Sequence, residues 1–223
     1  MKILDIPQSG RRGLYVSLGG RNGQVSRIFT IPRNPRTAPQ MGVRHAFGSV
    51  TAKWRTLTED QRNAWRTAAK AKNTVPRLGQ SGPLTGSQLF TKINCSLATL
   101  GGNQVVTPPS FPQFPDNPVG SLVITNVGGV ISLKLGCASA PGDNTTVRAS
   151  APCSAGVAYV DDYRILGILP APAQGSSDIT NLYTPRYGSP AVGTKVFVRV
   201  NQNIDGWKDM PVETWAIVPA AAA

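Results

Sequence analysis

The sequence repeats one helix-start signal three times within its first hundred residues. A threonine stands three positions before a glutamine at Thr37, Thr58 and Thr85. In such a capping box the threonine hydroxyl accepts a hydrogen bond from the glutamine N–H, and the glutamine side chain accepts one from the threonine N–H. Each signal precedes apolar residues at helical spacing. The first part of the chain is therefore predicted to be a small module of three helices.

The first predicted helix carries a continuous apolar stripe with spacings of four, three, four and three residues. Such spacing places all of these side chains on one helical face. We therefore expect Phe47 and Trp54 to anchor the helix in a core, while Arg44 faces solvent or a ligand. The stripe consists of Val43, Phe47, Val50, Trp54 and Leu57.

The second and third predicted helices follow the same pattern. The second is capped by Thr58, carries Trp65 as its packing anchor and runs to about Lys72. The third begins at Thr85, and the pair Gly101-Gly102 ends it, because glycine favours the backbone conformation that follows a helix.

Basic residues and turn formers precede the helices. Residues 1–12 are expected to form an arm, because proline, glycine and an Arg-Arg pair discourage regular structure. Residues 14–18 and 25–29 are predicted to be strands, joined by a tight turn at Asn22-Gly23. A two-stranded hairpin is marginal in water, so this one needs a packing partner.

The positive charge is concentrated at the start of the chain. Residues 1–92 hold 16 Lys and Arg against 3 Asp and Glu, whereas residues 93–223 hold 7 against 8. This asymmetry favours two modules, the first facing a polyanion or an acidic protein surface, and a solvated basic face is the alternative. The candidate partner- or nucleic-acid-binding residues are Arg11, Arg12, Arg21, Arg27, Arg33, Arg36 and Arg44.

The pattern changes period in the second part of the chain. Short β-branched segments alternate there with Gly, Pro and Asn turns, which is typical of a two-sheet sandwich. The predicted strands are 122–125, 130–135, 146–150, 163–168, 195–200 and 215–218.

These patterns together predict an α+β, multi-domain chain. Its expected parts are a basic arm and β-hairpin at 1–31, a helical module at 32–104, a proline-rich linker at 105–118 and a β-sandwich at 119–223.

The sequence offers little for catalysis. Nucleophilic catalysis usually needs a histidine near Ser or Cys, and the one histidine, His45, falls on the first predicted helix. Cys95, Cys137 and Cys153 have no metal-binding spacing, and their pairing stays open. We therefore expect a non-enzymatic protein without a cofactor. No run approaches the roughly 20 apolar residues of a membrane span, and the N-terminus lacks the apolar segment of a signal peptide.

Two runs, 115–135 (PDNPVGSLVITNVGGVISLKL) and 192–211 (VGTKVFVRVNQNIDGWKDMP), resemble the opening and closing strands of a fibronectin type III domain. The likeness covers roughly residues 110–219. It implies a fibronectin- or immunoglobulin-like sandwich that serves adhesion or assembly rather than chemistry.

A second resemblance lies in the helical part. The turn Arg33-Asn34-Pro35-Arg36-Thr37, followed by Trp54, Leu57-Thr58, Gln61-Arg62 and Trp65, resembles uncharacterised structural proteins of tailed phages and prophages. This resemblance implies a virion component, made in the host cytoplasm, that binds neighbouring subunits through its basic arm and sandwich.

The segment 52–72 (AKWRTLTEDQRNAWRTAAKAK) also resembles the junction of the last two helices of a high-mobility-group box. An ordinary tryptophan-rich helix corner would give the same pattern. The alternative function is therefore a cytoplasmic DNA-binding protein that uses the arm and the helix pair.

Overall fold

The computed structural model describes residues 9–20, 23–31, 33–34, 36–74, 82–138 and 144–221. These residues form four helices and several antiparallel sheets, which confirms a mixed α+β class. The chain divides into two compact units. The first contains Met1–Cys95 and Gln104–Pro109, and the second contains Ser96–Asn103 and Ser110–Ala223.

The bounds of these elements are as follows. The helices are α1 (Ala38–Thr56), α2 (Glu59–Lys70), α3 (Gly86–Thr99) and α4 (Thr180–Tyr187). The strands of the first unit are β1 (Gly10–Arg12), β2 (Tyr15–Gly20) and β3 (Gly23–Ile28). Those of the second unit are β4 (Val119–Val127), β5 (Val130–Cys137), β6 (Thr146–Ala149), β7 (Cys153–Ser154), β8 (Arg164–Ile168), β9 (Ser176–Asp178), β10 (Thr194–Asn201), β11 (Asn203–Ile204), β12 (Trp207–Lys208) and β13 (Val212–Ile217).

Two of the three predicted capping boxes form. Thr58 and Gln61 exchange both hydrogen bonds at the start of α2, and Thr85 and Gln88 do the same at the start of α3. The predicted box at Thr37 is wrong, because its side chain makes no capping hydrogen bond. A proline in the first turn of α1 already fixes a helical φ there, so the helix begins without the cap.

The apolar stripe of α1 is buried only in its second half. Val50 is fully buried and Leu57 nearly so, whereas Phe47 is 54% exposed and Val43 71% exposed. The prediction that Phe47 anchors the helix is therefore wrong. The 19-residue helix extends roughly 28 Å, and no described element covers its first turns.

An aromatic cluster forms the core of the helical part. The Phe90 ring lies 5.3 Å from the Trp54 ring and 5.2 Å from the Trp65 ring, the latter edge-to-face at 86°. Trp65 is fully buried, and its indole N–H donates to the Val106 carbonyl at 2.8 Å. The prediction that Trp54 and Trp65 pack as anchors is confirmed.

The start of the proline-rich segment is tied to α3. Asn94 is fully buried, and its side chain accepts from the Val105 N–H at 2.7 Å. The same side chain donates to the carbonyls of Phe90 and Val105, at 3.1 and 3.2 Å. Residues 105–118 contain no helix or strand, as predicted, but their first residues pack with the helices and do not act as a free linker.

Two larger antiparallel sheets and a two-stranded one, β11-β12, lie in the described part of the second unit. The two larger sheets form its core. One has the order β4-β5-β9, and the other has the order β13-β10-β6-β8, with β7 also paired to β10. A single core cluster takes side chains from both sheets, including Leu133 and Leu135 of β5 and Val196, Val198 and Val200 of β10. The two sheets therefore face each other across one core. All six predicted strands are confirmed.

The sequence did not predict helix α4, because it is short and contains Pro185. Two tyrosines of α4 stabilise the helix through hydrogen bonds to residues outside it. The buried Tyr183 hydroxyl donates to the Ser150 carbonyl at 3.2 Å, and the Tyr187 hydroxyl donates to the Ala149 carbonyl at 3.0 Å. Burial raises the pKa of Tyr183, so this hydroxyl stays a donor.

The expectation that residues 1–12 lack regular structure is wrong for residues 10–12, and residues 1–8 lie outside the described part of the chain. Gly10, Arg11 and Arg12 form β1, which pairs with Ser17, Val16 and Tyr15 of β2 in that order. Backbone hydrogen bonds to a neighbouring strand stabilise β1, and these do not depend on the side-chain preferences that the prediction used.

The Asn94 side chain provides a direct test of the packing between α3 and residues 104–109. We expect Asn94→Ala to lower the free energy of unfolding by about 2–4 kcal/mol, because it leaves the Val105 N–H and the Val105 carbonyl without their partner. Urea denaturation followed by circular dichroism at 222 nm measures the loss. The control is Gln104→Ala, which removes only an exposed 2.9 Å hydrogen bond to Ser49. Equal losses in the two variants would contradict this role for Asn94.

The two aromatic positions of the sequence prediction should differ in their contribution to stability. We expect Trp65→Ala to lower the free energy of unfolding by about 3–5 kcal/mol, because it opens a cavity in the core. Phe47→Ser should cost no more than about 0.5 kcal/mol, because this side chain is exposed. The same denaturation experiment compares them. A loss of several kcal/mol for Phe47→Ser would mean that Phe47 packs in the isolated protein.

Candidate functional site

The three-stranded sheet of the first unit exposes an unusual combination of side chains. Its central strand, β2, pairs Val16 with Arg11 of β1 on one side and with Arg27 of β3 on the other. Directly paired residues point to the same face, so the two arginines flank Val16 on one face. Adjacent strands are roughly 4.8 Å apart, so the backbones of Arg11 and Arg27, on either side of β2, are about 10 Å apart.

Apolar side chains share this face with the arginines. Leu18 is 48% exposed, and the Phe29 ring lies 4.0 Å below the Arg11 guanidinium in a cation–π contact. We call this surface the Arg11–Arg27 face. It consists of Arg11, Val16, Leu18, Val25, Arg27 and Phe29.

The opposite face of the sheet also exposes apolar side chains. Arg12 lies there opposite Tyr15, which in turn pairs with Ile28. Tyr15 is 56% exposed and Ile28 67% exposed. Among the described residues of this sheet, only Ser17 is buried. The sheet therefore has no apolar core of its own in the described part of the chain.

The arginines predicted to bind a partner lie in different parts of the first unit. The structure brings Arg11 and Arg27 together on one face, and Arg12 lies on the other. Arg33 and Arg36 are exposed in the connection between β3 and α1, where Arg36 adopts a positive φ of 52°. Such a conformation is uncommon for a residue with a side chain. Arg21 lies outside the described residues.

Arg44 lies on the exposed part of α1, and its guanidinium donates to the Asn34 side-chain oxygen at 2.5 Å. The exposed Val43 and Phe47 are its neighbours along the helix. The ion pairs between described residues are formed by Arg62, Arg66, Arg164 and Arg199. None of the described arginines predicted to bind a partner therefore pairs with a carboxylate of a described residue.

A second basic cluster, which the sequence prediction missed, lies on the larger sheet of the second unit. Arg148 of β6 is directly paired with Arg199 of β10, and Arg199 is directly paired with Glu213 of β13. The three side chains therefore share one face. No local pattern marks this cluster, because its members lie far apart in the sequence and their region carries almost no net charge.

A buried cation lies on the same strand. Lys195 is 7% exposed, and its ammonium donates to the Val157 carbonyl at 2.9 Å. The same ammonium lies 3.7 Å from the Trp215 ring centre and 4.9 Å from that of Phe197. Aromatic faces attract cations, so these contacts replace part of the lost hydration.

A pocket of about 450 Å³ lies beside this sheet. Its charged residues include Asp162 and Arg164, which form an ion pair at 3.0 Å. The Cys153 thiol in its wall donates to the Lys195 carbonyl at 3.2 Å. The lining consists of Ser150, Ala151, Pro152, Cys153, Val160, Asp162, Arg164, Arg186 and Tyr187, and thus includes no histidine. His45 is exposed on α1.

The remaining site chemistry can be stated for the described residues. Cys95, Cys137 and Cys153 form no disulfide in the described part of the chain, and burial raises the pKa of Cys95 and Cys137. No group of three or more His, Cys, Asp or Glu among these residues has an arrangement that could hold a metal ion. None of the described helices is both long enough and apolar enough to cross a membrane.

Comparison with known proteins adds no assignment. No protein-family model matches the sequence, and neither a curated protein nor a solved structure shows significant similarity to it.

Proposed function

We propose that the chain is a non-enzymatic subunit of a larger assembly, a structural component of a tailed-phage-type virion, and that the Arg11–Arg27 face binds a neighbouring subunit. One observation carries the proposal. The sheet β1–β3 exposes large apolar residues on both faces and buries none among its described residues. The sequence resemblance of residues 33–65 to phage structural proteins supports the choice of assembly.

The energetics of the sheet favour a protein partner. Three strands need an apolar face packed against something to be stable in water. Burying a Leu or Phe side chain stabilises by about 1.5–3 kcal/mol, and Leu18 and Phe29 are both available for such burial. The outer edges of β1 and β3 carry no further strand among the described residues, so a partner strand can also pair there.

The arginines give this surface its selectivity. Arg11 and Arg27 flank the apolar centre, so a matching partner places acidic or polar groups around an apolar patch. Charge complementarity of this kind speeds association and excludes wrong partners more than it adds affinity.

The second unit supports an assembly role through its architecture. We propose that it is a fibronectin type III-like or immunoglobulin-like sandwich. If β4, β5 and β9 are taken as strands A, B and E, and β6, β10 and β13 as C, F and G, the neighbours in each sheet follow the immunoglobulin order. Domains of this architecture commonly serve adhesion and assembly, although the architecture alone does not define a function.

DNA binding is the second candidate, and a separate observation favours it. Arg11, Arg12, Arg27, Arg33 and Arg36 are all exposed, and none of them forms an ion pair with a described carboxylate. Exposed cations along an extended segment are suited to a phosphate backbone.

Apolar contact predicts assembly that survives high salt. We expect gradient-purified particles from a host carrying the gene to contain the protein. The amount of the double variant Leu18→Ser/Phe29→Ser in the particles should be at least about tenfold lower, because each lost apolar contact contributes about 1 kcal/mol or more. Mass spectrometry of washed particles measures the amount. The control is Val192→Ser, a loop residue that is 56% exposed. Particles that lack the wild-type protein would contradict the virion assignment.

DNA binding predicts a different response. If the alternative holds, replacing Arg11, Arg12, Arg33 and Arg36 by alanine should weaken binding to a 20-base-pair duplex and flatten its salt dependence by about 0.9 per lost phosphate contact. Fluorescence anisotropy between 50 and 200 mM salt measures both. Arg164→Ala is the matched control, because Arg164 is exposed in the second unit. If the wild-type protein does not bind the duplex at 50 mM salt, DNA binding is ruled out.

A further inference from the structure

The Arg148 cluster lies on the outer face of the larger sheet. Val196, Val198 and Val200 of β10 point into the core, so the alternating Arg199 points away from it. Glu213 and Arg148 lie on either side of Arg199 in one cross-strand row. The row thus reads carboxylate, guanidinium, guanidinium across three strands.

This row contains one more positive charge than negative charge. Glu213 forms an ion pair with Arg199. Arg148 is half-buried, and it takes part in none of the ion pairs between described residues. Burial, together with the charge of Arg199, lowers the pKa of Arg148. Like charges directly opposite each other on a sheet destabilise it.

Polar atoms of the same cluster lack hydrogen bonds. The Nε atoms of Arg148 and Arg199 are buried, and neither has a partner among the described residues. The Tyr163 ring stacks on Arg199 at 4.1 Å, and burial, together with the charge of Glu213, raises the pKa of the Tyr163 hydroxyl. A buried donor without an acceptor destabilises a fold, so two such Nε–H groups in one cluster indicate a missing acceptor.

We propose that Arg148, Arg199 and Tyr163 form a binding site for a carboxylate group. A carboxylate has two acceptor oxygens in one plane, which match the planar fork of guanidinium donors. Its single negative charge equals the residual charge of the row, whereas a phosphate dianion would leave an excess beside Glu213. The Tyr163 hydroxyl supplies one further donor. This site does not depend on the assembly role of the first unit.

Two sources can supply this group, a small free carboxylate or an Asp or Glu side chain of another protein. The shared chemistry is the carboxylate, and the two probes are therefore sodium acetate and N-acetyl-aspartate N-methylamide. Tighter binding of the aspartate derivative identifies a protein side chain as the source. Equal or tighter binding of acetate identifies a small free carboxylate.

Nitrogen-15 NMR of the arginine Nε–H groups tests the site. We expect acetate, at constant ionic strength in chloride, to shift the Nε–H signals of Arg148 and Arg199, and we expect Arg148→Met to weaken this binding at least about tenfold. Arg164→Met is the control, because Arg164 is exposed and already paired with Asp162. Arg148→Lys keeps the charge but loses the fork, so it should bind acetate no better than chloride.

Several outcomes would overturn the proposal. These are the absence of a shift with 100 mM acetate, an equal shift with chloride or with inorganic phosphate, and unchanged acetate binding in Arg148→Met. The far-ultraviolet spectrum of each variant shows whether it folds. If Arg148→Met does not fold, the comparison of acetate with chloride in the wild type and in Arg148→Lys still decides the question.

Discussion

The contact of Phe90 with Trp54 and Trp65 is the interaction on which the first unit depends. The three rings come from α3, α1 and α2, so each helix contributes one member to the cluster. Isolated helices shorter than about 12–15 residues are marginal in water, and α2 with 12 residues and α3 with 14 are near this limit. Capping boxes set where α2 and α3 begin, but shared burial of these rings is what makes the helices one module. Hydrogen bonds from the Asn94 side chain to Val105 and from the Trp65 indole to the Val106 carbonyl then hold residues 104–109 against the module.

Local signals predicted the elements well, and their neighbours less well. The boxes at Thr58 and Thr85 and the strands of the second unit need only short-range chemistry, and they are found as expected. The exposed Phe47 shows the limit, because a stripe defines a helical face without showing whether another element covers it. Helix α4 shows the converse, since Tyr183 and Tyr187 stabilise by distant contacts a segment whose own sequence disfavours a helix.

The same distinction applies to the candidate sites. The sequence marks Arg11 and Arg12 equally, but strand alternation places them on opposite faces, and only Arg11 shares a row with Arg27. Register, which depends on pairing and not on composition, decides which arginines act together. The sequence did not predict that Arg148 and Arg199 are neighbours, because only the pairing of β6 with β10 brings them side by side.

The two basic clusters differ in what their unpaired charge means. An exposed arginine without a carboxylate is hydrated at little cost, so the charges around Val16 indicate a partner only in combination with the exposed apolar residues beside them. Arg148 has lost part of its hydration, and its buried Nε–H finds no acceptor among the described residues, which destabilises the fold. In the first unit, the exposed apolar side chains of the sheet β1–β3 are the feature that favours a partner. In the second unit, the corresponding feature is the unpaired Nε–H of Arg148. Salt screens the exposed arginines around Val16 much more than the half-buried Arg148, whereas the apolar contact of the first unit does not depend on these charges.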